Sequence, residues 1–436
     1  MMETDQNFRL SSTARRLGQA GLTVAALLLG TAAVRAEQIT VWSGYPEMAP
    51  FYQHVADGLK AQYPDLTVSV QAIQLRDHEK RVALGLSSNS AADVLELEIG
   101  TATRYMQNDL LAHAPADVVS FVQDPKNFNK FFGDAGTMNG TVYGVPLFRG
   151  QSALYYNTDM FKAAGIAAPP KTMDDFTTDA AKLAQRDASG NLKTSGWSLR
   201  LSGGGQGIAE KFWINMFQYG GNVAVEQPNG KWKMTLDTPE GIKTLSQYLQ
   251  VVWGDKADSV EFPADSDAFE RGQTAMFIRE SWVIGDIAQK APNLHYATST
   301  LPMGSIVSPV DLFVTGQGKK ADEAWAFAKA AASPENQLWM LDHVGWLPNR
   351  AGLDYSALLA KTPQLAAFVQ LPADYKFFSL PNIAPEDEFM TGIADRLTNA
   401  FADSSLQGHP DKIENVLKQT SDAAADVLKQ NDLLDE

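Results

Sequence analysis

The sequence contains no cysteine in 436 residues. A disulfide framework, a zinc site built on thiolates, a cysteine nucleophile and an iron–sulfur cluster are therefore excluded. The acylated cysteine that anchors some secreted bacterial proteins to lipid is excluded for the same reason. The G-x-S-x-G, G-x-x-x-x-G-K-[ST] and H-E-x-x-H motifs are also missing, so three common kinds of catalytic or nucleotide site find no support.

Positive charge is scarce. The chain has 36 Lys and Arg against 51 Asp and Glu, which gives a formal net charge of −15 and a pI near 4.9. A surface of this sign repels phosphates, so we expect no nucleic-acid partner. The six histidines are scattered without a pair at ligand spacing, and we therefore expect no metal site and no cofactor.

No apolar run reaches the roughly 20 residues that a membrane-spanning helix needs. The run at residues 21–34 (GLTVAALLLGTAAV) follows Arg9, Arg15 and Arg16 and ends just before Arg35-Ala36. Charged, apolar and small-residue segments in this order are typical of a secretory signal peptide. We predict that residues 1–36 are such a peptide, cleaved after Ala36. Without a cysteine to acylate, we expect the exported product free in the periplasm of a Gram-negative cell.

Three predicted strands lie in the N-terminal part of the chain. Residues 39–42 are a β-branched run, residues 66–72 alternate apolar and polar side chains, and residues 91–99 form a further strand pattern. Between the first two, apolar residues recur at helical spacing over residues 51–59. Strand, helix and strand in this order predict an α/β fold with a parallel sheet.

Later helices are predicted mainly from their ends. Thr172 begins a capping-box pattern, and Thr238 and Ser333 each precede a proline at the first helical position. Gly345 is a typical helix stop. From Asp411 onward the pattern predicts a long helix that is polar on one face.

Several segments, in order along almost the whole chain, resemble one protein family. They include residues 140–146 (GTVYGVP), 154–157 (LYYN), 161–166 (FKAAGI), 269–282 (FERGQTAMFIRESW) and 345–350 (GWLPNR). The fourth is similar to the family's F-x-x-G-x-A-A-M … G-x-W segment. On these segments the chain resembles the maltose-binding-protein-like family of extracellular solute-binding proteins, which serve ABC sugar importers.

The resemblance implies a type II periplasmic-binding-protein fold: two α/β lobes joined by a hinge of several segments, with the ligand in the cleft between them. The N-lobe would comprise residues 37–147 and 301–347, and the C-lobe residues 148–300 and 348–436. A bound sugar or small oligosaccharide would select a closed state through a hinge motion. The closed form would hand the carbohydrate, unaltered, to the permease subunits of an ABC transporter in the inner membrane. The implied protein is a monomer without enzymatic activity.

The resemblance also puts Trp282 at the family's stacking tryptophan. Sugars offer hydroxyl groups to polar side chains and an apolar C–H face to aromatic rings. Open α/β sheets bind ligands at the carboxyl ends of their strands. The other candidates on this basis follow the predicted strands: Ser43, Gly44, Tyr45, Glu47, Glu98 and Arg104.

Further candidates lie near the implied crossings between lobes. Arg149 and Gln151 follow the first crossing, and Arg350 follows another. The forked donors of an arginine can hold two hydroxyl groups or one anionic group. Trp346, at that same second crossing, is a further aromatic platform.

A glycine-rich loop leaves the ligand's charge open. Gly204 and Gly205 expose consecutive backbone N–H groups, and a predicted helix carrying Trp213 follows directly. Such a loop can bind an anion, so a sugar derivative with a phosphate, sulfonate or carboxylate is one alternative. A secreted glycosidase is another, because Glu96 and Glu98 lie on the same side of a predicted strand and glycosidases use paired carboxyls.

Overall fold

The computed structural model describes residues 37–227, 229–262, 265–316 and 320–435. The predicted signal peptide, residues 1–36, lies outside the described residues. Within them, no helix combines the length and the apolar character that crossing a membrane requires.

Helices and strands alternate along the chain. The strands are β1 (Glu37–Ser43), β2 (Leu66–Ala72), β3 (Val94–Glu98), β4 (Thr137–Met138), β5 (Thr141–Val142), β6 (Gly144–Asn157), β7 (Gln185–Arg186), β8 (Leu192–Thr194), β9 (Ala224–Glu226), β10 (Trp232–Met234), β11 (Met276–Glu280), β12 (Tyr296–Ser299), β13 (Gly304–Val314), β14 (Leu347–Pro348) and β15 (Lys376–Phe378). The helices are α1 (Ala49–Leu59), α2 (Leu75–Ser87), α3 (Ile99–Gln107), α4 (Ala116–Gln123), α5 (Lys130–Ala135), α6 (Thr158–Ala163), α7 (Met173–Leu183), α8 (Gly207–Gln218), α9 (Pro239–Leu249), α10 (Asp265–Glu270), α11 (Val283–Lys290), α12 (Ala321–Ala331), α13 (Pro334–His343), α14 (Ser356–Lys361), α15 (Ala366–Val369), α16 (Glu386–Ala402) and α17 (Pro410–Gln430). Short 3-10 turns and one π-helical turn join some of them.

Most of the predicted helix ends are confirmed. The Thr172 hydroxyl accepts a hydrogen bond from the Asp175 backbone N–H at 3.2 Å, and the Asp175 carboxylate accepts one from Thr172 in return. Ser333 caps α13, and Gly345 follows that helix with φ at +92°. Thr238 stands at the N-cap of α9, but its hydroxyl donates to the Thr235 carbonyl instead of accepting from the helix.

The main sheet has the strand order β11-β6-β13-β3-β1-β2, and it also includes β12, β14 and β15. The three strands predicted first are β1, β2 and β3, and they pair in parallel as expected. β13 is antiparallel to both β3 and β6. The fold is therefore a mixed α/β fold, in which the parallel part is joined to the rest through β13.

β6 connects two halves of the molecule. Its residues 144–151 pair with β13 and β14, whereas residues 152–157 pair with β11 and β12. The strand thus changes partners in its middle, near Gln151 and Ser152. β6 therefore connects the two halves as one continuous strand.

Buried apolar side chains form separate clusters at the two ends of this crossing. The first core draws on residues 39–148 and 310–340. The second core draws on residues 153–306 and 341–428. Phe148 of β6 packs in the first core and Ile306 of β13 packs in the second. Each of these two strands therefore contributes side chains to both cores. The lobe boundaries, as residue numbers, remain a prediction.

Candidate ligand-binding site

A cavity of about 280 Å³ lies between the two cores and is partly open to solvent. The start of α2, the end of β3 and the start of α3 line it from the first core. The start of α8 and the segment 379–387 line it from the second core. Residues 307–309 of β13, which connects the cores, lie between them. Its charged lining residues are Arg76, Glu79, Glu98, Arg104, Glu210, Glu386 and Asp387.

Glu98 lines this cavity and binds Tyr45, another of the predicted site residues. It ends β3 and lies half-buried at the cavity wall. The Tyr45 hydroxyl donates a hydrogen bond of 2.5 Å to its Oε1 atom. Burial raises the pKa of Glu98, and the hydrogen bond from Tyr45 partly opposes that shift. Arg104, towards the end of α3, is exposed on the same wall.

Ser43 and Gly44 lie below this surface and bind Glu96. The Ser43 hydroxyl donates to Glu96 Oε1 at 2.6 Å, the Gly44 N–H donates to the same atom at 3.1 Å, and the Tyr52 hydroxyl donates to Oε2. Burial raises the pKa of Glu96 to about 7, although these hydrogen bonds favour the ionised form. A Cβ atom on Gly44 would approach Leu75 Cδ1 to 2.9 Å. Ser43 and Gly44 therefore hold the end of β1 in place and are themselves fully covered.

Tyr45 and Trp346 form an aromatic group with Phe148, and Glu47 binds the Trp346 indole. The rings of Tyr45 and Trp346 meet edge to face with centroids 5.3 Å apart, and both also contact Phe148. The Trp346 indole N–H donates to Glu47 Oε1 at 3.1 Å. This hydrogen bond spans 299 positions of sequence and fixes the indole beside the end of β1.

Gly150, in the middle of β6, connects this aromatic group with Trp282. A Cβ atom at Gly150 would lie within 3.9 Å of Glu280, Ser308 and Trp346. The Trp282 indole N–H donates to Glu280 Oε2 at 3.1 Å. Trp282 itself is half-buried, with the Arg279 guanidinium 5.3 Å from the ring centroid.

Glu280 is held by two cations as well as by the indole. Lys211 Nζ lies 3.2 Å from Oε1, and Arg279 Nη1 lies 3.1 Å from Oε2. The Ser152 hydroxyl is 3.4 Å from Oε1. Burial disfavours the charged carboxylate, but the positive charges of Lys211 and Arg279 outweigh that effect and lower the pKa of Glu280 to about 2. This carboxylate is therefore ionised at every physiological pH.

Glu386, which lines the second-core side of the cavity, shows the opposite behaviour. It is the first residue of α16 and lies against the start of α3. Burial and the nearby charge of Glu98 raise the pKa of Glu386 to about 8, even though Arg76 favours the ionised form. Arg76 itself forms an ion pair with Glu79, at 3.0 Å.

The glycine-rich loop is exposed at the second-core side of the cavity. Gly204 and Gly205 have φ angles of +68° and +73°, a region that glycine adopts without strain. Gln206 and Glu210, which follow directly, line the cavity. Trp213 lies one turn further along α8 but points into the second core. It is 1% exposed, and its indole N–H donates to Asn222 Oδ1 at 3.0 Å.

Arg149, Gln151 and Arg350 lie away from the cavity lining. Arg149 Nε donates to Gln151 Oε1 at 2.8 Å, and its guanidinium also donates to the Pro348 carbonyl. Burial lowers the pKa of Arg149 to about 10. Arg350 packs its guanidinium over the rings of Phe121 and Phe128, with 5.1 Å and 5.5 Å to the centroids. Arg149 and Gln151 thus bind β6 to neighbouring segments, and Arg350 packs on the surface of the first core.

The structure brings Tyr45, Glu47, Glu98, Trp282 and Trp346 to one continuous surface around Gly150 and Ser308. Three residues at or beside this surface were missed from the sequence. Glu280 could have been predicted from the sequence, because it stands two residues before Trp282 and residues with that spacing in a strand point to the same face. Lys211 and Glu386 carried no local signal, since their place depends on how α8 and α16 pack.

Among the described residues, no group of three or more His, Cys, Asp or Glu side chains is arranged to hold a metal ion. The cavity instead combines carboxylates, guanidinium groups and amides with indole and phenol rings at its edge. Such a surface can form many hydrogen bonds to a polyhydroxyl compound and can stack on its apolar face.

The model of the bacterial extracellular solute-binding protein family matches residues 54–367, and the chain belongs to that family. The lactose-binding protein of Rhizobium radiobacter is 24% identical over 343 residues, which cover 76% of this chain and 75% of that protein. The sn-glycerol-3-phosphate-binding periplasmic protein of Escherichia coli is 25% identical over 362 residues, covering 75% and 78%.

The fold has solved counterparts as well. An ABC substrate-binding protein from Listeria monocytogenes, solved in complex with cycloalternan, aligns with a TM-score of 0.71 at 21% identity. The alignment covers 90% of this chain and 99% of that one. The chain therefore has the two-lobe fold of ABC substrate-binding proteins, and the two cores described above belong to its two lobes.

Proposed function

We propose that this chain is the periplasmic substrate-binding protein of an ABC importer and that it captures a neutral sugar or small oligosaccharide between its lobes. It delivers the carbohydrate unaltered to the permease and acts as a monomer. The N-lobe comprises residues 37–147 and 301–347, and the C-lobe residues 148–300 and 348–436. β6, β13 and β14 are the crossing segments about which the lobes close.

One observation carries this proposal. The cavity between the cores is bounded by hydrogen-bonding groups from both lobes. Through Ser308, which lines it, and Gly150 it adjoins the indole rings of Trp346 and Trp282, each anchored by a carboxylate. A hydroxyl-rich ring needs acceptors at its rim and an aromatic surface below its C–H face. A relative named for lactose is consistent with a neutral sugar here, whereas one named for glycerol 3-phosphate represents the anionic alternative.

The charge of the lining favours a neutral ligand over an anionic one. Five carboxyl groups line the cavity, against the two guanidinium groups of Arg76 and Arg104. A phosphate bound at Gly204 and Gly205 would lie on the side of the cavity that carries Glu210 of the following helix, and like charges repel.

A binding role is also better supported than glycoside hydrolysis by Glu96 and Glu98. Glu96 is 1% exposed and accepts hydrogen bonds from Ser43, Gly44 and Tyr52. A buried carboxyl group that is already fully bonded cannot flank a glycosidic bond together with Glu98, as paired catalytic carboxyls do.

The test is a thermal-shift panel on the purified chain with lactose, maltose, cycloalternan and glycerol 3-phosphate. A ligand at a hundredfold excess over its Kd stabilises the protein by about 2.7 kcal/mol, which raises Tm by several degrees. We expect a neutral sugar to give this shift and to be recovered intact by chromatography. A shift with glycerol 3-phosphate alone would establish the anionic alternative, and the appearance of reducing ends would contradict a binding role.

A further inference from the structure

A direct contact crosses the cavity between the start of α16 and the start of α3. Glu386 is the first residue of α16, and Phe389 and Met390 of that helix are buried in the second core. Gly100 is the second residue of α3, whose Ile99 and Ala102 are buried in the first core. Any widening of the cavity mouth would therefore separate Glu386 from Gly100.

The contact is close. A Cβ atom at Gly100 would lie 2.7 Å from Glu386 Oε2, well inside van der Waals distance. The same position would lie 3.8 Å from the Asn382 side-chain oxygen. The carboxyl group of Glu386 thus fills the space beside Gly100, and Glu386 is half-buried there.

The charges that face Glu386 come from both lobes, and acids predominate. From the first core they are Arg76 and Glu79 of α2, Glu98 of β3, and Arg104 of α3. From the second core they are Glu210 of α8 and Asp387 of α16 itself. Arg76 already forms an ion pair with Glu79 at 3.0 Å, so its charge is shared. An ionised Glu386 in this position adds a negative charge beside Glu98.

We propose that Glu386 makes the closure of the two lobes depend on pH. When it is protonated, the carboxyl group packs against the start of α3 and keeps the cavity mouth narrow. When it is ionised, repulsion from Glu98 and the recovery of hydration favour the wider arrangement. The two-lobe fold supplies the bodies that move; the hinge motion itself rests on the proposed function.

The direction of the effect follows from proton linkage. In the narrow arrangement, burial and Glu98 raise the pKa of Glu386 to about 8, whereas a solvated glutamate titrates near 4.5. The narrow arrangement therefore binds the proton more tightly. Acid favours closure, and closure is progressively lost as pH rises between these two values. In that window the ratio of closed to open molecules changes by up to about tenfold per pH unit.

One feature of the contact acts in the other direction. The N-terminus of α3 carries a partial positive charge, which favours an ionised carboxylate beside Gly100. That effect is typically worth about half a pKa unit. It is much smaller than the rise in the pKa of Glu386 from 4.5 to about 8, so the direction of the linkage is unchanged.

The absence of native cysteine allows a direct measurement. Spin labels on Ser87→Cys, at the end of α2, and Asp395→Cys, in α16, report the distance between the two helices across the cavity. The labelled chain is studied without ligand from pH 5 to pH 9. We expect a short-distance population that dominates in acid and gives way to a longer distance as pH rises. A distance distribution that does not change with pH would overturn the proposal.

Two variants on α16 identify the responsible group. Glu386→Gln is neutral at every pH, and we expect it to keep the short distance up to pH 9. Glu388→Gln, an exposed residue in the same first turn, is the matched control and should respond as the parent chain does. If Glu386→Gln kept the full pH response, another group would be the titrating one and the proposal would fail.

Gly100→Ala tests the contact itself. The added methyl group displaces the Glu386 carboxyl towards solvent, so the distance should respond less to pH than in the parent chain. Alanine in place of glycine favours the helix, and the variant should keep its fold. A full pH response in Gly100→Ala would overturn the contact. These distances need no ligand, so a negative sugar panel would refute the proposed function without touching them.

Discussion

The two sides of the site hold their carboxyl groups in opposite surroundings: the Trp282 side stands next to the cavity, whereas Glu98 and Glu386 line it. Glu280 lies between Lys211 and Arg279 and also accepts from the Trp282 indole, which keeps the pKa of Glu280 at about 2. Glu98 and Glu386 have no such set of cations, and burial raises the pKa of both. The first side thus has a permanent charge and a fixed ring, whereas the charge of the second depends on pH and on the arrangement of the lobes.

This difference separates two requirements of a binding protein. A ligand platform must have the same geometry before and after binding, and the pairing of Glu280 with two cations provides it. Glu98 and Glu386 belong to different lobes, so the distance between these two carboxyl groups depends on how far apart the lobes stand. Variants that remove the fixed charges test the first side, and titrations test whether the charge of the second side depends on pH.

The largest effect is expected when Lys211 is replaced by methionine. The side chains of Lys211 and Glu280 are only 6% and 16% exposed, so the variant leaves a buried carboxylate with one cation fewer. Breaking a buried ion pair in this way destabilises a protein by about 3 kcal/mol. Chemical denaturation should show this loss. Lys418→Met removes an exposed pair with Asp422 and should cost less than about 1 kcal/mol. Equal losses in the two variants would mean that the Glu280 side is not held by its cations.

Glu96, below the second side, should make stability fall as pH rises. Its pKa is raised to about 7, so the folded chain holds this proton more tightly than the unfolded chain, in which glutamate titrates near 4.5. The stabilisation is complete below pH 4.5 and is lost as pH rises towards 7, by about 3 kcal/mol. Glu96→Gln should remove that part of the slope in denaturation curves recorded from pH 4 to pH 8. An identical slope in the variant would assign the loss to other groups.

Trp282→Ala should weaken sugar binding by about a hundredfold, because the stacking surface is lost and Glu280 loses its indole donor. Titration calorimetry with the sugar that shifts Tm is the measurement. Trp232→Ala, a partly buried tryptophan of β10 outside the cavity, is the matched control and should bind normally. If both variants bound as the parent does, Trp282 would not belong to the site.

The smallest effect is expected for arginines at different distances from the cavity. Arg104→Gln removes an exposed donor from the wall and should weaken binding by about tenfold or less. Arg350→Gln should leave affinity unchanged, because Arg350 packs on Phe121 and Phe128 instead. The same calorimetric titration compares them, and a larger loss for Arg350→Gln would reverse the assignment of the two residues.

Local patterns in the chain were sufficient for the elements and for several of their ends. The alternation in β2, the helical spacing in α1 and the capping box at Thr172 are confirmed because each depends on neighbours within one or two turns. The family resemblance rested on short segments of the same kind, and it is confirmed by the match over residues 54–367.

Tertiary packing decided which side chains share a surface. Trp213 and Trp282 are both tryptophans that the sequence makes candidates for the site, yet the first lies in the second core and the second lies beside Glu280. Arg350 follows a predicted crossing but packs on two phenylalanines of α4 and the loop after it. Glu386 meets Gly100 across 286 positions. Such placements follow from how helices and strands dock, and docking depends on contacts between distant segments that no local period in the chain encodes.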